Sequence, residues 1–183
     1  DKNIEVSHIK KNENISYYVY RVNKGILYTD RINDTAIIKD YNIIQGPSFQ
    51  FRSANSDIIN SNIEENVVFK KGTPRFRKKI KGKVLSLLTG GGGNDNYWHW
   101  LFDVLPRISI CVEIIKLDKI DFFLLPNNKR KFQTETLEIL GIKKQKQISS
   151  INHRHIICDE LYATTHPVCV TNNATNDIQN MPV

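Results

Sequence analysis

The chain has 183 residues, 40% of them hydrophobic and 25% charged, with a formal net charge of +7. This is ordinary for a soluble globular protein and long enough to bury a proper core. No apolar run approaches the ~18 residues that cross a bilayer as a helix, and no signal peptide is visible. The chain opens on Asp1 rather than Met, which leaves room for a preceding segment. Abundant Asn, Ile and Lys fit an AT-rich, bacterial type of genome. Cys111, Cys158 and Cys169 are odd in number and far apart, as in a reduced, cytoplasmic chain without a disulfide framework.

In chain order, residues 1–13 are polar, and Ser16 to Val22 is β-rich. Asn23-Lys24-Gly25 reads as a tight turn into Ile26–Thr29, and residues 30–34 as the next turn into Thr35–Lys39. The first part, residues 1–69, is therefore a small β-meander followed by a loop, broken at Gly46-Pro47. Ser48 to Asn66 reads as loop or short helix. Eight cations then crowd between Lys70 and Lys83: Lys70, Lys71, Arg75, Arg77, Lys78, Lys79, Lys81 and Lys83. Such a block suits a phosphate-rich substrate, an anionic polysaccharide or the inner face of an anionic membrane. The plainer reading is a solvated loop. No nucleic-acid fold signature accompanies it, and nucleic acid is not an expected partner.

Residues 84–107 organise the second half of the chain. Val84 to Thr89 is a short apolar run of the kind that forms a buried strand. Gly90 to Gly93 let the backbone turn and expose N–H groups, and Asn94 or Asp95 is a good N-cap for a helix. At about 100° per residue, Trp98, Leu101, Leu105, Ile108 and Val112 share one face, the expected core stripe. Asn96, His99, Asp103 and Arg107 fall on another, within roughly 80° of arc. His99 and Asp103 are four apart, so the carboxylate can fix the imidazole tautomer and basicity. A functional site and a buried polar network both fit this spacing. Pro106 removes a backbone hydrogen bond and should kink the helix near Phe102–Pro106.

Ile120–Leu125, closed by Pro126, reads as a two-side-buried parallel strand, and Thr134–Leu140 as a helix capped by Gly141. Short strands come next at Ile148, Ile156-Ile157 and Leu161–Ala163. The alternation after residue 83 predicts an α/β fold, a Rossmann-like doubly wound domain over 70–183. In such sheets ligands bind beyond the C-terminal ends of the strands. His153, His155, Cys158, His166 and Cys169 invite a metal reading, but the strand alternation turns Cys158 away from the histidines, and no metal is expected.

Asn96 to Arg107, Asn-Tyr-Trp-His-Trp-Leu-Phe-Asp-Val-Leu-Pro-Arg after Thr-Gly-Gly-Gly-Gly, resembles the hallmark of glycosyltransferase family 61, the former DUF563 group, which includes capsular-polysaccharide enzymes of bacteria. Gly25–Asp30, Phe122–Pro126 and Leu137–Ile142 resemble further family segments, so the resemblance spans roughly Gly25 to Pro167. It implies one half of a two-lobed GT-B glycosyltransferase, the acceptor side, cut before the C-terminal lobe that holds most of the nucleotide-sugar. The implied reaction is inverting, metal-independent transfer from a nucleotide-sugar co-substrate to a glycan hydroxyl, as in surface or capsular polysaccharide synthesis, with no resident cofactor. His99 and Asp103 are then the catalytic candidates. Asn96, Trp100, Arg107, Gly92, Gly93 and His166 are candidates for substrate contact. The expected location is cytoplasmic, with membrane contact through Lys70–Lys83 as one option. The alternative is a non-catalytic carbohydrate-binding or assembly module on the same fold.

Overall fold

A computed structural model describes residues 3–12, 15–30, 34–48, 51–54, 57–60, 64, 66–88, 96–126, 129–167 and 180–182. The strands β1 (Ile4–Asn12), β2 (Ile15–Asn23), β3 (Ile26–Thr29), β4 (Thr35–Lys39) and β5 (Asn42–Ile44) come first. One turn of helix, α1 (Gln45–Ser48), leads to a separate hairpin of β6 (Phe51–Ala54) and β7 (Asp57–Asn60) and then to α2 (Val67–Lys71). After these come β8 (Lys78–Ser86), α3 (Tyr97–His99), a π-helical turn (Trp100–Val104) and α4 (Leu105–Cys111). β9 (Phe122–Leu125), α5 (Lys131–Ile139), β10 (Gln147–Ser149), β11 (His155–Thr164) and β12 (Asn180–Pro182) complete the set.

The centre of the main sheet is a parallel block in the order β10-β9-β8-β11. The chain lays down β8, steps outward to β9 and β10, and then returns to the other side of β8 for β11. Beyond β11 the sheet is antiparallel and forks. The first residues of β11, His155–Ile157, pair with β3, which continues through β4 and β5 to β12. The last, Glu160–Thr164, pair with β2, which carries β1. The N-terminal strands and the later α/β part thus share one sheet, and the protein is a mixed α/β fold around a parallel centre.

Three expectations change here. Asn23-Lys24-Gly25 is a tight turn, the Gly25 N–H donating to the Val22 carbonyl at 3.2 Å, but it closes no hairpin: β2 and β3 run on along the same edge of β11. Lys24 takes a positive φ of 50° and donates its N–H to the Asp159 carbonyl, and the Gly25 carbonyl accepts from Cys158. Both flanking segments find their partner in β11, so the chain needs only a kink between them. The block of cations is not wholly loop either, because Lys78 to Lys83 form the first half of β8. Its polar residues conceal a strand that pairs with Ile156, Ile157 and Cys158 at the start of β11. Ser48 to Asn66, expected as loop or short helix, contains the β6–β7 hairpin.

Burial follows the two-residue period of the strands. Leu85, Phe123, Leu125 and Tyr162 face one way, into a cluster with Trp100, Val104, Ile108, Cys111 and Leu137 from the helices. Val84, Leu124, Ile156 and Leu161 face the other way, into a cluster with Tyr20, Val22, Leu27, Ile37 and Ile44. Both crossover helical segments therefore cover the same face, and residues of β2, β3, β4 and β5 fill the other. A doubly wound sheet carries helices on both faces, and among the described residues the second set is not present. α5 ends as its glycine requires: Gly141 has φ +74° and its N–H returns to the Glu138 carbonyl. No described helix is long and apolar enough to cross a membrane.

Gly25 is confined by its neighbours, since a Cβ there would lie 2.7 Å from Leu161 Cβ and 3.0 Å from the Val22 carbonyl oxygen. Gly25→Ala should lower stability by about 1–3 kcal/mol, read as a lower urea midpoint at unchanged slope. Cys111 and Cys158 are buried free thiols, and burial pushes each up to about 12. Raised folded values mean that the unfolded chain ionises first, so stability should fall as pH climbs from about 9 toward 12. The Cys111→Ala/Cys158→Ala variant should show a shallower decline over that window in pH-dependent denaturant melts.

Candidate active site at the ends of β8 and β11

The helix after β8 begins where Asn96, extended at φ −89° and ψ 122°, turns its side chain onto the new helix. Its Oδ1 accepts from the N–H of Trp98 at 2.9 Å and of His99 at 3.4 Å, which makes Asn96 the N-cap. The expected caps Asn94 and Asp95, and with them Gly90 to Gly93 and the candidates Gly92 and Gly93, lie outside the described residues. The kink expected near Pro106 takes a definite form. Pro106 has no N–H and its ring crowds the carbonyl four residues back, and the turn just before it widens to π geometry, Leu105 N–H reaching the Trp100 carbonyl. α4 then restarts with proline in its first turn, where the missing donor costs nothing.

The π turn and the packing of α4 against β11 shift the expected core stripe: Ile108 is buried and Leu101 and Leu105 pack against the core, but the two ends of the stripe do not. Trp98 and Val112 are exposed, at 64% and 42%, whereas Trp100 is fully buried. The inward residues are Trp100, Val104, Ile108 and Cys111, with Asp103 and Arg107 beside them. Trp100 donates its indole N–H to Thr136 Oγ1 at 2.9 Å and meets Phe132 edge-on. It is a core anchor between α5 and the sheet and has no free face for a sugar ring, contrary to the substrate-contact expectation.

Asp103, 6% exposed, is the centre of the polar cluster. Its Oδ2 lies 2.5 Å from His99 Nδ1, one helical turn away, and its Oδ1 lies 3.6 Å from His166 Nε2. His166 comes directly after β11, so the strand's exit brings it to the helix. Arg107 stands behind Asp103, one turn further on. Its Nε donates to the Asp103 carbonyl at 3.0 Å, and one terminal nitrogen donates to the carbonyl and hydroxyl of Thr164 at 3.2 and 3.3 Å. Burial pushes Arg107 down to about 10, against the pull of the Asp103 carboxylate, so it remains a cation at neutral pH. Because it is 3% exposed with its donors turned onto Thr164 and Asp103, Arg107 is a structural clamp and not the contact to phosphate or acidic sugar that its position in the stripe suggested.

His99 alone of the cluster reaches solvent, its side chain 38% exposed. With Nδ1 held by the Asp103 carboxylate, the other ring nitrogen, Nε2, is left to act as a proton acceptor. Beside it the exposed rings of Trp98 and Phe102 lie 4.3 Å apart at 40°, a tilted aromatic ledge on the same helix. An imidazole base with its orienting carboxylate, flanked by aromatic surface, can abstract a proton from a hydroxyl group held over the ledge. The other histidines are elsewhere: His155 Nδ1 donates to the Pro74 carbonyl and His153 Nδ1 to that of Ser149. Among the described residues no group of three His, Cys, Asp or Glu side chains is arranged to hold a metal ion. Sequence reasoning missed Thr164 and Thr136, which bear no local signal because their partners are on distant elements.

The cluster lies beyond the C-terminal ends of β8 and β11, adjacent parallel strands between which the order of the chain reverses. Such a switch point is where open α/β sheets place their ligands. No protein-family model matches the chain, and no curated protein or solved structure was found to be significantly similar to it.

Arg107→Met removes the only described partner of the Thr164 side chain and a buried cation that interacts electrostatically with Asp103. It should cost about 3–5 kcal/mol in urea unfolding, whereas Thr164→Val, which leaves the carbonyl bond in place, should cost about 1 kcal/mol.

Proposed function

We propose that this chain is the acceptor-side, Rossmann-like part of a glycosyltransferase of the family-61 type, with a GT-B arrangement in the whole enzyme. The observation that carries the reading is the His99–Asp103–His166 cluster at the sheet's switch point, within the segment that bears the family resemblance. Of these, His99 alone is open to solvent. In this reading a glycan hydroxyl lies on the Trp98–Phe102 ledge and donates its hydrogen bond to His99 Nε2. As the hydroxyl oxygen attacks the anomeric carbon of the nucleotide-sugar, the proton passes to Nε2 and the nucleotide leaves with the bonding pair. Asp103 stabilises the imidazolium that results, and His166 stands on the far oxygen of the same carboxylate. Arg107 holds the main-chain carbonyl of Asp103 and ties this turn of the helix to Thr164.

The base role needs no metal, and the nucleotide-sugar is a co-substrate rather than a resident cofactor. The ledge also suits simple glycan binding, which is the competing reading: a carbohydrate-binding module that performs no transfer. The two differ in whether a donor is consumed. Nucleotide release by the full-length protein, supplied with a panel of nucleotide-sugars and a glycan acceptor, separates them. His99→Ala should lower turnover by about 100-fold or more while leaving the circular dichroism spectrum and melting temperature unchanged. Turnover within a few-fold of wild type would remove His99 as the base. Glycan binding without nucleotide release, by a folded protein, would establish the binding module instead.

A further inference from the structure

The other ends of β8 and β11 carry a feature that the proposed chemistry does not use. No acidic residue lies between Glu65 and Asp95, and the segment from Lys70 to Lys79 is exposed throughout. Cations outside the Lys70–Lys79 run do meet acids: Lys83 faces Glu160 at 3.4 Å, Lys24 bonds Asp159, and Lys39 lies 3.5 Å from Asp40. Lys70, Lys71, Arg75, Arg77, Lys78 and Lys79 form no ion pair among the described residues. Six like charges on a short stretch repel one another, and among the described residues none of them is held by an acid.

In the middle of this run, between Arg75 and Arg77, stands Phe76, 87% exposed. Arg77 also lines a cleft of about 390 Å³ with Gly72, Thr73 and Tyr41, whose ring is 85% exposed. The crest therefore combines solvated aromatic rings with unpaired cations. A single exposed apolar side chain is unremarkable on a protein surface. One set among unpaired cations has the composition that binds a charged interface, with cations held at lipid headgroups and an aromatic ring at the level of the acyl boundary.

We propose that the Lys70–Lys79 crest docks the protein on an anionic lipid bilayer, with Phe76 entering the interface. Charge complementarity supplies the attraction, and the ring supplies a contact that soluble polyanions do not offer. This docking is independent of the sugar-transfer reading, because it concerns the opposite ends of the strands and is read by binding alone.

The test is co-sedimentation of the whole chain with vesicles of phosphatidylcholine, alone or with about one-third phosphatidylglycerol. Binding is expected to the anionic vesicles only. Each cation removed should weaken it about fivefold, so Arg75→Ser, Arg77→Ser, Lys78→Ser and Lys79→Ser together should lose at least 100-fold. Phe76→Ala, at an exposed position that leaves the fold intact, should lose about tenfold and leave binding to soluble heparin unchanged. Lys116→Ser, Lys119→Ser, Lys143→Ser and Lys144→Ser together remove as much charge elsewhere and should retain most of the binding. Absence of binding to anionic vesicles would overturn the proposal, and so would an equal loss in the two quadruple variants. Unchanged vesicle binding by Phe76→Ala, with heparin competing fully, would reassign the crest to soluble polyanions.

Discussion

A guanidinium that is 3% exposed has to be paired, and the pairing of Arg107 determines much of what surrounds it. Removing an ion from water costs several kcal/mol, which only good geometry and opposite charge offset. Arg107 satisfies this by gripping two things at once, the backbone of its own helix at Asp103 and the last residue of β11 at Thr164. The grip fixes the helix over the C-terminal end of the sheet. It also sets a buried cation close to Asp103, and the Asp103 carboxylate is what orients His99. The exposed base thus depends on a clamp two turns away that touches nothing outside the protein.

The π turn is the backbone counterpart of that clamp. Proline cannot continue an α-helix without losing a hydrogen bond and displacing a carbonyl, and the widened turn Trp100–Val104 absorbs both demands in one place. Its position decides which residues of the helix face the sheet. Trp100 goes into the core and is tied to Thr136, which couples the helix to α5, while Trp98 and Phe102 remain outside as a pair. One sequence segment therefore yields a buried anchor, an orienting carboxylate and an exposed ledge, each at a different angle around the same axis.

The elements legible in the sequence are those whose cause is local. The β4 strand, the parallel β9 closed by Pro126 and the glycine-capped α5 are read from alternation, an apolar run and a terminator that lie within a few residues of one another. The pairing of His99 with Asp103 is legible for the same reason, as a one-turn spacing. The phase of the helix is not, because two apolar series overlap in it. Trp98, Leu101, Leu105 and Ile108 keep helical spacing, and so do Trp100, Val104, Ile108 and Cys111. Only the π turn and the Arg107–Thr164 contact choose between them, and neither has a periodic signature. The run-on of β2 into β3 and the hidden start of β8 escape for a related reason, since each is fixed by β11, far away in the chain.

Parallel strands have a polarity, and in this protein the two ends of the block differ in kind. At their C-terminal ends β8 and β11 deliver side chains that are buried, paired and pre-oriented, so the charge there is compensated within the fold. At their N-terminal ends the cations are solvated and have no ion-pair partner among the described residues, so they remain available to an external counter-charge. A site for chemistry needs the first condition, because a fixed base performs better when its orienting carboxylate does not have to be reorganised. An attachment surface needs the second, because an attraction already satisfied within the fold has little left for a partner. The separation of the two along the same pair of strands lets one end be held at a charged surface while the other stays open to solvent.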